Sequence, residues 1–173
     1  MAVLPIIEIP DPRLRKVSEP VGAFDTELKR LIADMFETMY DAPGIGLAAI
    51  QVGVPKRLLV IDLQEEGEGV RNPRVYVNPL FSEPSDEMSV YNEGCLSIPE
   101  QYAEVSRPAS IRLRWQDADG AEHDERVDGL LATCLQHEND HLEGIVFTDH
   151  LSRMKRDMVL KKLEKQRKLN KAA

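Results

Sequence analysis

Residues 134–144 read Cys134-Leu-Gln-His137-Glu138-Asn-Asp-His141-Leu-Glu-Gly144 and contain the pattern H-E-x-x-H. In a helix, positions four apart lie one turn apart on the same face, so the imidazoles of His137 and His141 can bind one metal ion. Glu138 directly follows the first histidine, close enough to exchange protons with a water at the metal. The stretch therefore predicts a metal-binding helix that serves hydrolytic chemistry.

The helix around this pattern is predicted to be buried. Leu130 and Cys134 fall on the same stripe as the two histidines, so the face toward the metal is otherwise apolar. Asp128 suits the N-cap position and Gly144 the position just past the C-terminus, which gives about four turns of helix. The rest of the chain should therefore pack around this helix.

The composition is that of an ordinary soluble protein. The chain has 173 residues, of which 42% are apolar and 30% charged, so a single catalytic domain over residues 1–173 is expected. No apolar run approaches the roughly 18 residues of a membrane span, and the N-terminus lacks the basic and apolar regions of a secretory signal. Two cysteines, Cys95 and Cys134, argue against a disulfide framework and favour a cytoplasmic location.

The charge is distributed unevenly along the chain. Residues 150–173 contain nine Lys or Arg and two acidic residues, a charge of +7, which leaves −15 on the other 149 residues of a chain with net charge −8. The acidic part is not expected to bind DNA with its main surface. Residues 150–173 are predicted to form a basic C-terminal helix, with Leu151, Met154 and Met158 on its packed face.

The remaining segments predict an α+β domain. Four prolines among residues 1–23 indicate an extended arm, and an amphipathic N-terminal helix is predicted to begin after Asp25. The expected fold is antiparallel β-sheets packed around the central H-E-x-x-H helix, with that N-terminal helix and a C-terminal helix. Strands are predicted at 58–63, 75–78, 102–106, 110–115 and 122–127, and loops at 64–72 and 79–88.

The segment Gly44-x-Gly46-x-x-Ala49 matches a dinucleotide-binding fingerprint, but in the wrong context. That fingerprint needs a strand before it and a helix after it, whereas here a helix precedes and a strand-like run follows. The small residues instead indicate a place where something approaches the backbone closely. Gln51 is the one polar side chain of this segment.

A catalytic metal site usually has three protein ligands, so the two histidines need a third. Metzincin proteases have a third histidine where this chain has Phe147, so that ligand is absent. Thermolysin-like enzymes use a downstream glutamate, for which Glu164 is the only candidate by position, but it lies in the basic terminal helix. His123 and His150 are weaker candidates because they are expected to be exposed. Cys95, in a glycine-flanked turn, is the strongest candidate.

Two other kinds of metal site stay open at this point. Cys134 lies one turn before the first histidine and could complete a closed Cys₂His₂ site, which is typical of a non-catalytic, metal-stabilised module. Cysteine is also a common small core residue. A zinc endopeptidase is the third reading, because H-E-x-x-H alone is found in that class.

Three segments together resemble the bacterial peptide deformylase family over essentially the whole chain. They are Gly44-Ile-Gly-Leu-Ala-Ala-Ile-Gln51, Glu93-Gly-Cys-Leu-Ser97 and His137-Glu-Asn-Asp-His141, in the order of the family. Asn139 stands where the family usually has an apolar residue, and Ile50 where Thr or Pro is common. Neither position supplies a ligand, so these departures bear on helix packing and pocket detail only.

The resemblance implies an enzyme that removes the formyl group from the N-terminal formyl-methionine of nascent polypeptides and releases formate. It implies one divalent metal ion, Fe(II) in the cell, with Zn(II), Ni(II) or Co(II) as alternatives in purified protein. The ion would be held by Cys95, His137 and His141.

The same resemblance assigns the other site residues. A metal-bound water would attack the formyl carbon, and Glu138 would act as general base and then general acid. The side-chain amide of Gln51 and the backbone N–H of Leu96 would stabilise the oxyanion. The substrate would lie along Gly46 and Gly94, with its methionine side chain against Ile45 and Cys134.

Two further expectations concern contacts beyond the ligands and the substrate. Arg107 and Asp140 either orient Glu93 or a histidine ligand, or are a surface arginine and an exposed aspartate; both readings stay open. The basic helix is expected to bind the ribosome, where nascent formyl-Met peptides emerge beside RNA phosphates. No membrane and no DNA partner is expected.

Overall fold

The computed structural model describes residues 2–65, 67 and 69–172, so residues 66 and 68 of the predicted 64–72 loop lie outside the described part. The helices are α1 (Thr26–Asp41), α2 (Gly129–Leu142) and α3 (Arg153–Ala172). The strands are β1 (Gly46–Ala48), β2 (Leu58–Ile61), β3 (Arg74–Ser82), β4 (Met88–Cys95), β5 (Ile98–Pro108), β6 (Ser110–Gln116) and β7 (Glu122–Asp128). Single 3₁₀ turns cover Pro12–Arg15, Ala49–Val52 and Phe147–His150.

Two antiparallel sheets surround α2. Five strands form the larger sheet in the order β1-β2-β3-β6-β7, and β4 and β5 form a separate two-stranded sheet. Helix α2 contacts strands of both sheets, so the helix that carries H-E-x-x-H is central. The predicted α+β architecture is confirmed.

Strand β2 is buried on both faces, which explains its uninterrupted apolar sequence. Leu59 and Ile61 belong to the core cluster beneath α2, whereas Leu58 and Val60 belong to the cluster beneath α1. Successive side chains of a strand point to opposite faces, so one strand can serve two cores. Helices α1 and α2 therefore lie on opposite faces of this part of the sheet.

The first helix is confirmed where it was predicted. Asp25 caps α1, because its carboxylate accepts a hydrogen bond from the backbone N–H of Leu28 at 3.0 Å. Its apolar stripe, which includes Leu28, Ile32, Met35 and Met39, is buried. Through this stripe the helix packs on β1 and β2.

The second helix has nearly the predicted bounds. Asp128 is its N-cap residue, although its side chain makes no capping hydrogen bond. At the other end Gly144 adopts φ +75°, and a Cβ there would clash with the backbone of Arg15. Asn139 accepts a hydrogen bond from Arg57 at 3.2 Å, which gives this unusual polar residue a partner.

The predicted loop at 79–88 is wrong in its first half. Strand β3 continues to Ser82 and pairs with β6, and β4 begins at Met88. The register shifts between Val77 and Leu80, where Asn78 has φ +51°. This bulge leaves Leu80 exposed and interrupts the alternation by which a strand is recognised in a sequence.

The packed face predicted for the basic helix is confirmed at Leu151, which packs on the core just before α3, and wrong at the two methionines. Val159 and Leu163 of α3 are buried, whereas Met154 and Met158 are 74% and 51% exposed. The buried pair joins a cluster with Ile7, Ile9 and β5 residues. The register of α3 is therefore set by the N-terminal arm and β5, and the two methionines face outward.

The arm of residues 2–25 is mainly extended, as predicted, apart from the one 3₁₀ turn. Two of its backbone N–H groups bond the site region: Ile7 donates to the carbonyl of Gln51 at 2.7 Å, and Ile9 to that of Ser97 at 3.0 Å. Arg167 of α3 donates to the carbonyl of Ile9 at 2.6 Å. Among the described residues, no helix is long and apolar enough to cross a bilayer.

Candidate active site and metal centre

Three potential ligands converge between β4 and α2. Cys95 is the last residue of β4, and His137 and His141 lie one turn apart on α2. Their ligand atoms all lie within 4.8 Å of one another, and Cys95 Sγ is 3.3 Å from His141 Nε2. The structure thus brings together the three residues predicted from the sequence as a possible metal site.

The two cysteines differ in their acidity. Burial alone would raise the pKa of the Cys95 thiol, but the charges and hydrogen bonds of His141 and His137 outweigh it and lower that pKa to about 5. Burial raises the pKa of Cys134 to about 12. A thiolate binds metals and a thiol does so poorly, so Cys95 suits a ligand and Cys134 does not. Within the described residues, Cys134 is not part of the metal-ligand group.

Glu138 lies beside this group in a confined position. The side chain is buried, and one oxygen lies 4.0 Å from His137 Nε2. The other oxygen, Oε2, has no hydrogen-bond partner among the described residues, and burial raises the pKa of the carboxyl. A Cβ on Gly46 would lie 2.7 Å from Oε1, so this glycine makes room for the Glu138 side chain.

Gln51 is fully buried and approaches the ligands from the 3₁₀ turn after β1. Its Nε2 donates to Ser97 Oγ at 3.0 Å and lies 3.6 Å from Cys95 Sγ. Leu96, which follows Cys95, lies in the turn between β4 and β5. Both predicted oxyanion donors are therefore next to Cys95, the predicted third ligand.

A cavity of about 730 Å³ is lined in part by this site, although Gln51 and His141 are not among its lining residues. The predicted substrate residues share its wall with Cys95, Leu96, His137 and Glu138; they are Ile45, Gly46, Gly94 and Cys134. A Cβ on Gly94 would overlap the ring of Tyr102, its cross-strand neighbour, so this glycine makes room for Tyr102. The cavity thus combines an apolar wall with a polar floor.

Comparisons with known proteins agree with this geometry. The sequence profile described as polypeptide deformylase matches residues 3–157. The peptide deformylase of Rhizorhabdus wittichii is 71% identical over 100% of both chains, and that of Zymomonas mobilis is 67% identical over 98% of this chain and 97% of its own. The chain belongs to the polypeptide deformylase family. The crystal structure of a deformylase from Legionella pneumophila is also similar, with a TM-score of 0.91, 43% identity and 99% coverage of both chains.

This chain is therefore a hydrolase of the peptide deformylase class. The Ehrlichia chaffeensis peptide deformylase in complex with actinonin also has this fold, with a TM-score of 0.89, 44% identity and 96% and 98% coverage of the two chains. Relatives of this identity that span the full length show that the whole chain, and not only its H-E-x-x-H helix, follows the deformylase pattern.

A buried charge network supports His137 of the deformylase. His137 Nδ1 lies 2.8 Å from Glu93 Oε1, and Arg107 donates to both oxygens of Glu93 at 2.7 and 2.9 Å. A third bond from Arg107 reaches Asp140 at 2.8 Å. The interpretation of Arg107 and Asp140 as isolated surface residues is wrong, because Arg107 is buried and bonds both acids.

Some contacts of the deformylase site had no clear sequence signal. The ring of Phe147 stacks on His137 with centroids 6.1 Å apart. His150 is exposed, as predicted, yet its Nε2 lies 2.7 Å from Asp140 Oδ2. Ser97 was part of the family motif, but its bond to Gln51 depends on the fold. The H-E-x-x-H spacing indicated only that a third ligand was needed, together with residues that bond to the ligands and hold them in place.

Replacing Arg107 by methionine is expected to lower the free energy of unfolding by about 3 kcal/mol near pH 7, because it removes the guanidinium from the buried Glu93 carboxylate and from the part-buried Asp140. Burial would raise the pKa of Glu93, but hydrogen bonds from His137 and Arg107 lower it below its ordinary 4.5. A carboxyl whose pKa is lower in the folded than in the unfolded state stabilises the fold at pH values above its unfolded-state pKa. This stabilisation is lost as the pH falls through its folded-state pKa. Urea unfolding from pH 7 to pH 3 should therefore show a smaller difference between the two proteins at low pH.

The matched control is Arg112→Met, which removes an exposed pair with Asp124. Its urea midpoint should stay close to that of the wild type at every pH. Equal effects of the two substitutions would contradict a stabilising role for the buried network.

Proposed function

We propose that this deformylase removes the formyl group from the N-terminal formyl-methionine of nascent polypeptides and releases formate. The observation that carries the proposal is the group formed by Cys95, His137 and His141, with the Glu138 carboxylate beside it at the floor of the cavity. A formamide is a small acyl group whose hydrolysis needs a nucleophilic water, an oxyanion donor and a proton for the leaving amine. Residues for each task lie around this floor.

The donor set fits one divalent metal ion. Cys95 has a lowered thiol pKa, and the two histidines can each offer a ring nitrogen, so three ligands remain compatible with an open catalytic position. A thiolate beside two imidazoles is compatible with both Fe(II) and Zn(II). The resemblance to the family leads us to propose Fe(II) in the cell, with Zn(II), Ni(II) or Co(II) on the same ligands in purified protein. When bound, such an ion supplies a Lewis acid that makes water nucleophilic near neutral pH.

Glu138 is proposed as the group that moves protons. Its buried carboxyl has a raised pKa and an oxygen, Oε2, without a partner among the described residues. It would take a proton from the attacking water and deliver it to the leaving nitrogen. Glu93 bonds the neighbouring His137, and Arg107 bonds Glu93. The histidine beside the Glu138 carboxylate is therefore held in a fixed orientation.

Gln51 and Leu96 are proposed as the oxyanion donors. The Gln51 amide lies 3.6 Å from Cys95 Sγ, and Leu96 follows this ligand directly in the chain, so both donors are near the point where the formyl oxygen would lie. Loss of one such donor typically lowers the rate about 100- to 1,000-fold. Fixed donors need no reorganisation during the reaction, which is why their position matters.

The cavity is proposed to bind the methionine residue and the chain that follows it. Ile45 and Cys134 form part of the apolar wall, which suits a methionine side chain. Gly46 and Gly94 line the cavity with backbone, so an extended peptide could pair with them there. Because nascent chains are the substrate in this proposal, the cytoplasm is the expected location.

Two peptides distinguish this function from that of a zinc endopeptidase. A formyl-Met-Ala-Ser peptide should release formate, whereas an unblocked peptide with several internal bonds should stay intact under the same conditions. Formate is measured enzymatically and peptide integrity by mass spectrometry. Cleavage of the internal bonds without release of formate would contradict the proposal.

We also propose that α3 binds the ribosome. The helix combines a strongly basic sequence with two methionines that face outward, Met154 and Met158, and its acidic residues are few. Exposed apolar residues among lysines and arginines suit a partner that presents both RNA phosphate and protein. Its other face packs on the body of the enzyme through Val159 and Leu163.

The variant Lys161→Gln/Lys162→Gln/Lys165→Gln is expected to bind ribosomes at least about tenfold more weakly at low salt, since each phosphate contact adds to binding. Substitution is preferable to deletion of residues 160–173, because deletion would remove the buried Leu163. The matched control, Lys16→Gln/Lys29→Gln/Lys56→Gln, changes the net charge equally outside α3. Equal co-sedimentation of both triple variants with ribosomes would exclude α3 as the binding surface, and activity on short peptides should be normal in both.

A further inference from the structure

The side chain of Gln51 is held through a buried serine. Ser97 lies in the turn between β4 and β5 and is fully buried. Its Oγ lies 3.0 Å from Gln51 Nε2 and 2.6 Å from the backbone oxygen of Ile7 in the N-terminal arm. The serine therefore joins the arm to the amide beside Cys95.

The directions of these hydrogen bonds follow from the chemistry of the groups. The carbonyl of Ile7 can only accept, so the single hydroxyl proton of Ser97 is donated to it. Ser97 Oγ can then only accept from Gln51, which requires an N–H of the amide to face the serine. A hydroxyl that was not bonded to Ile7 could either accept from Nε2 or donate to Oε1 of Gln51, so it would not determine which end of the amide faces it.

The oxygen end of the Gln51 amide is also fixed by a hydrogen bond, which requires the same orientation of the amide. Gln51 Oε1 accepts the backbone N–H of Ala48 in β1 at 2.9 Å. With one Nε2 proton on Ser97, the second proton is directed toward Cys95 Sγ, 3.6 Å away, and Cys95 itself lines the cavity. The buried amide is thus held at both ends, with its second N–H directed toward Cys95, beside which the oxyanion is proposed to form.

We propose that Ser97 is a positioning residue, which orients Gln51 for oxyanion stabilisation and takes its own orientation from the Ile7 carbonyl. The inference rests on the proposed function of Gln51 as an oxyanion donor. Donors act strongly in catalysis only when they are oriented before the charge develops. Without the hydroxyl, Nε2 loses an acceptor and the amide can turn away from the reacting oxygen.

A double-mutant cycle tests whether Ser97 acts through Gln51. In the metal-loaded enzyme, Ser97→Ala should lower kcat about tenfold or more on formyl-Met-Ala-Ser, because an oxyanion donor is misdirected, with KM changed less than about twofold. In the Gln51→Ala enzyme the same substitution should change kcat less than about twofold, since the group it positions is already gone. Metal content per chain should be equal in all four proteins.

Two further variants keep the test decisive. Ser97→Cys retains a weaker donor and acceptor of similar size and should give an intermediate loss; it replaces Ser97→Ala in the cycle if the alanine variant does not fold. Ser18→Ala is the matched control, because Ser18 is also buried and its hydroxyl has no partner among the described residues. It should leave kcat unchanged in both backgrounds.

The outcomes separate this inference from the proposed function. Equal kcat losses for Ser97→Ala in both backgrounds, or a loss confined to KM or to metal content, would show that Ser97 is only structural. An unaltered kcat in Gln51→Ala alone would instead contradict the oxyanion role of Gln51. A larger kcat loss for Ser97→Ala when Gln51 is present than in the Gln51→Ala enzyme supports the positioning role.

Discussion

Replacing Glu138 by glutamine is expected to lower the rate of formate release about a thousandfold, within the range that general acid–base groups contribute. Glutamine has nearly the same shape but cannot take a proton from water or return it to the leaving amine. The three proposed ligands do not include this side chain, so the metal content should stay at the wild-type level. Formate release and metal analysis on the same preparations test both expectations.

The matched control for this substitution is Glu143→Gln. Glu143 lies one residue beyond α2, is exposed and pairs with Arg57 at 2.6 Å. Its replacement should leave kcat near the wild-type value. Substantial activity of the Glu138→Gln enzyme, with normal metal content, would mean that another group moves the proton.

Replacing Cys95 by serine is expected to weaken metal binding by about a hundredfold or more, since even the loss of a supporting residue around a metal often costs 10- to 100-fold. Cys95 supplies the only sulfur in the three-residue group, and its thiol pKa of about 5 keeps it ionised at neutral pH. A serine hydroxyl is far less acidic and ligates divalent metals weakly. Competition with a chelator of known affinity measures the change.

Cys134→Ser provides the comparison for this prediction. Cys134 belongs to the hydrophobic cluster beneath α2, and burial raises its pKa to about 12. Its replacement should preserve metal affinity, although a buried hydroxyl there can lower stability. Loss of metal in both variants would favour the closed Cys₂His₂ site, and loss in neither would exclude a thiolate ligand altogether.

The H-E-x-x-H helix was predictable because its signals are local. The spacing of the histidines, the apolar stripe and the glycine after the C-terminus all lie within 17 residues of sequence, from Asp128 to Gly144. The third ligand is different, since Cys95 is 42 residues before His137. The glycine-flanked turn made Cys95 the strongest candidate and the resemblance to a family supported it, but only the fold shows that its sulfur lies beside the histidines.

The packed face of α3 could not be read from periodicity. Met154 and Met158 are four residues apart, and so are Val159 and Leu163, so both pairs form a stripe on the same helix. The choice between them depends on Ile7 and Ile9, which pack there from the other end of the chain. Likewise the carbonyl of Ile7 that bonds Ser97 is a backbone group, present at every position, and leaves no trace in a sequence.

The hydrogen bond from Arg167 to the carbonyl of Ile9 bears on the order in which the chain folds. The two residues are 158 positions apart, so the contact forms only after nearly the whole chain has been synthesised. Contacts of such long range form late, because a large loop must close first. The backbone bonds of the arm to Gln51 and Ser97 join residues only 44 and 88 positions apart, so the docking of α3 on the arm is expected to be the last of these contacts to form.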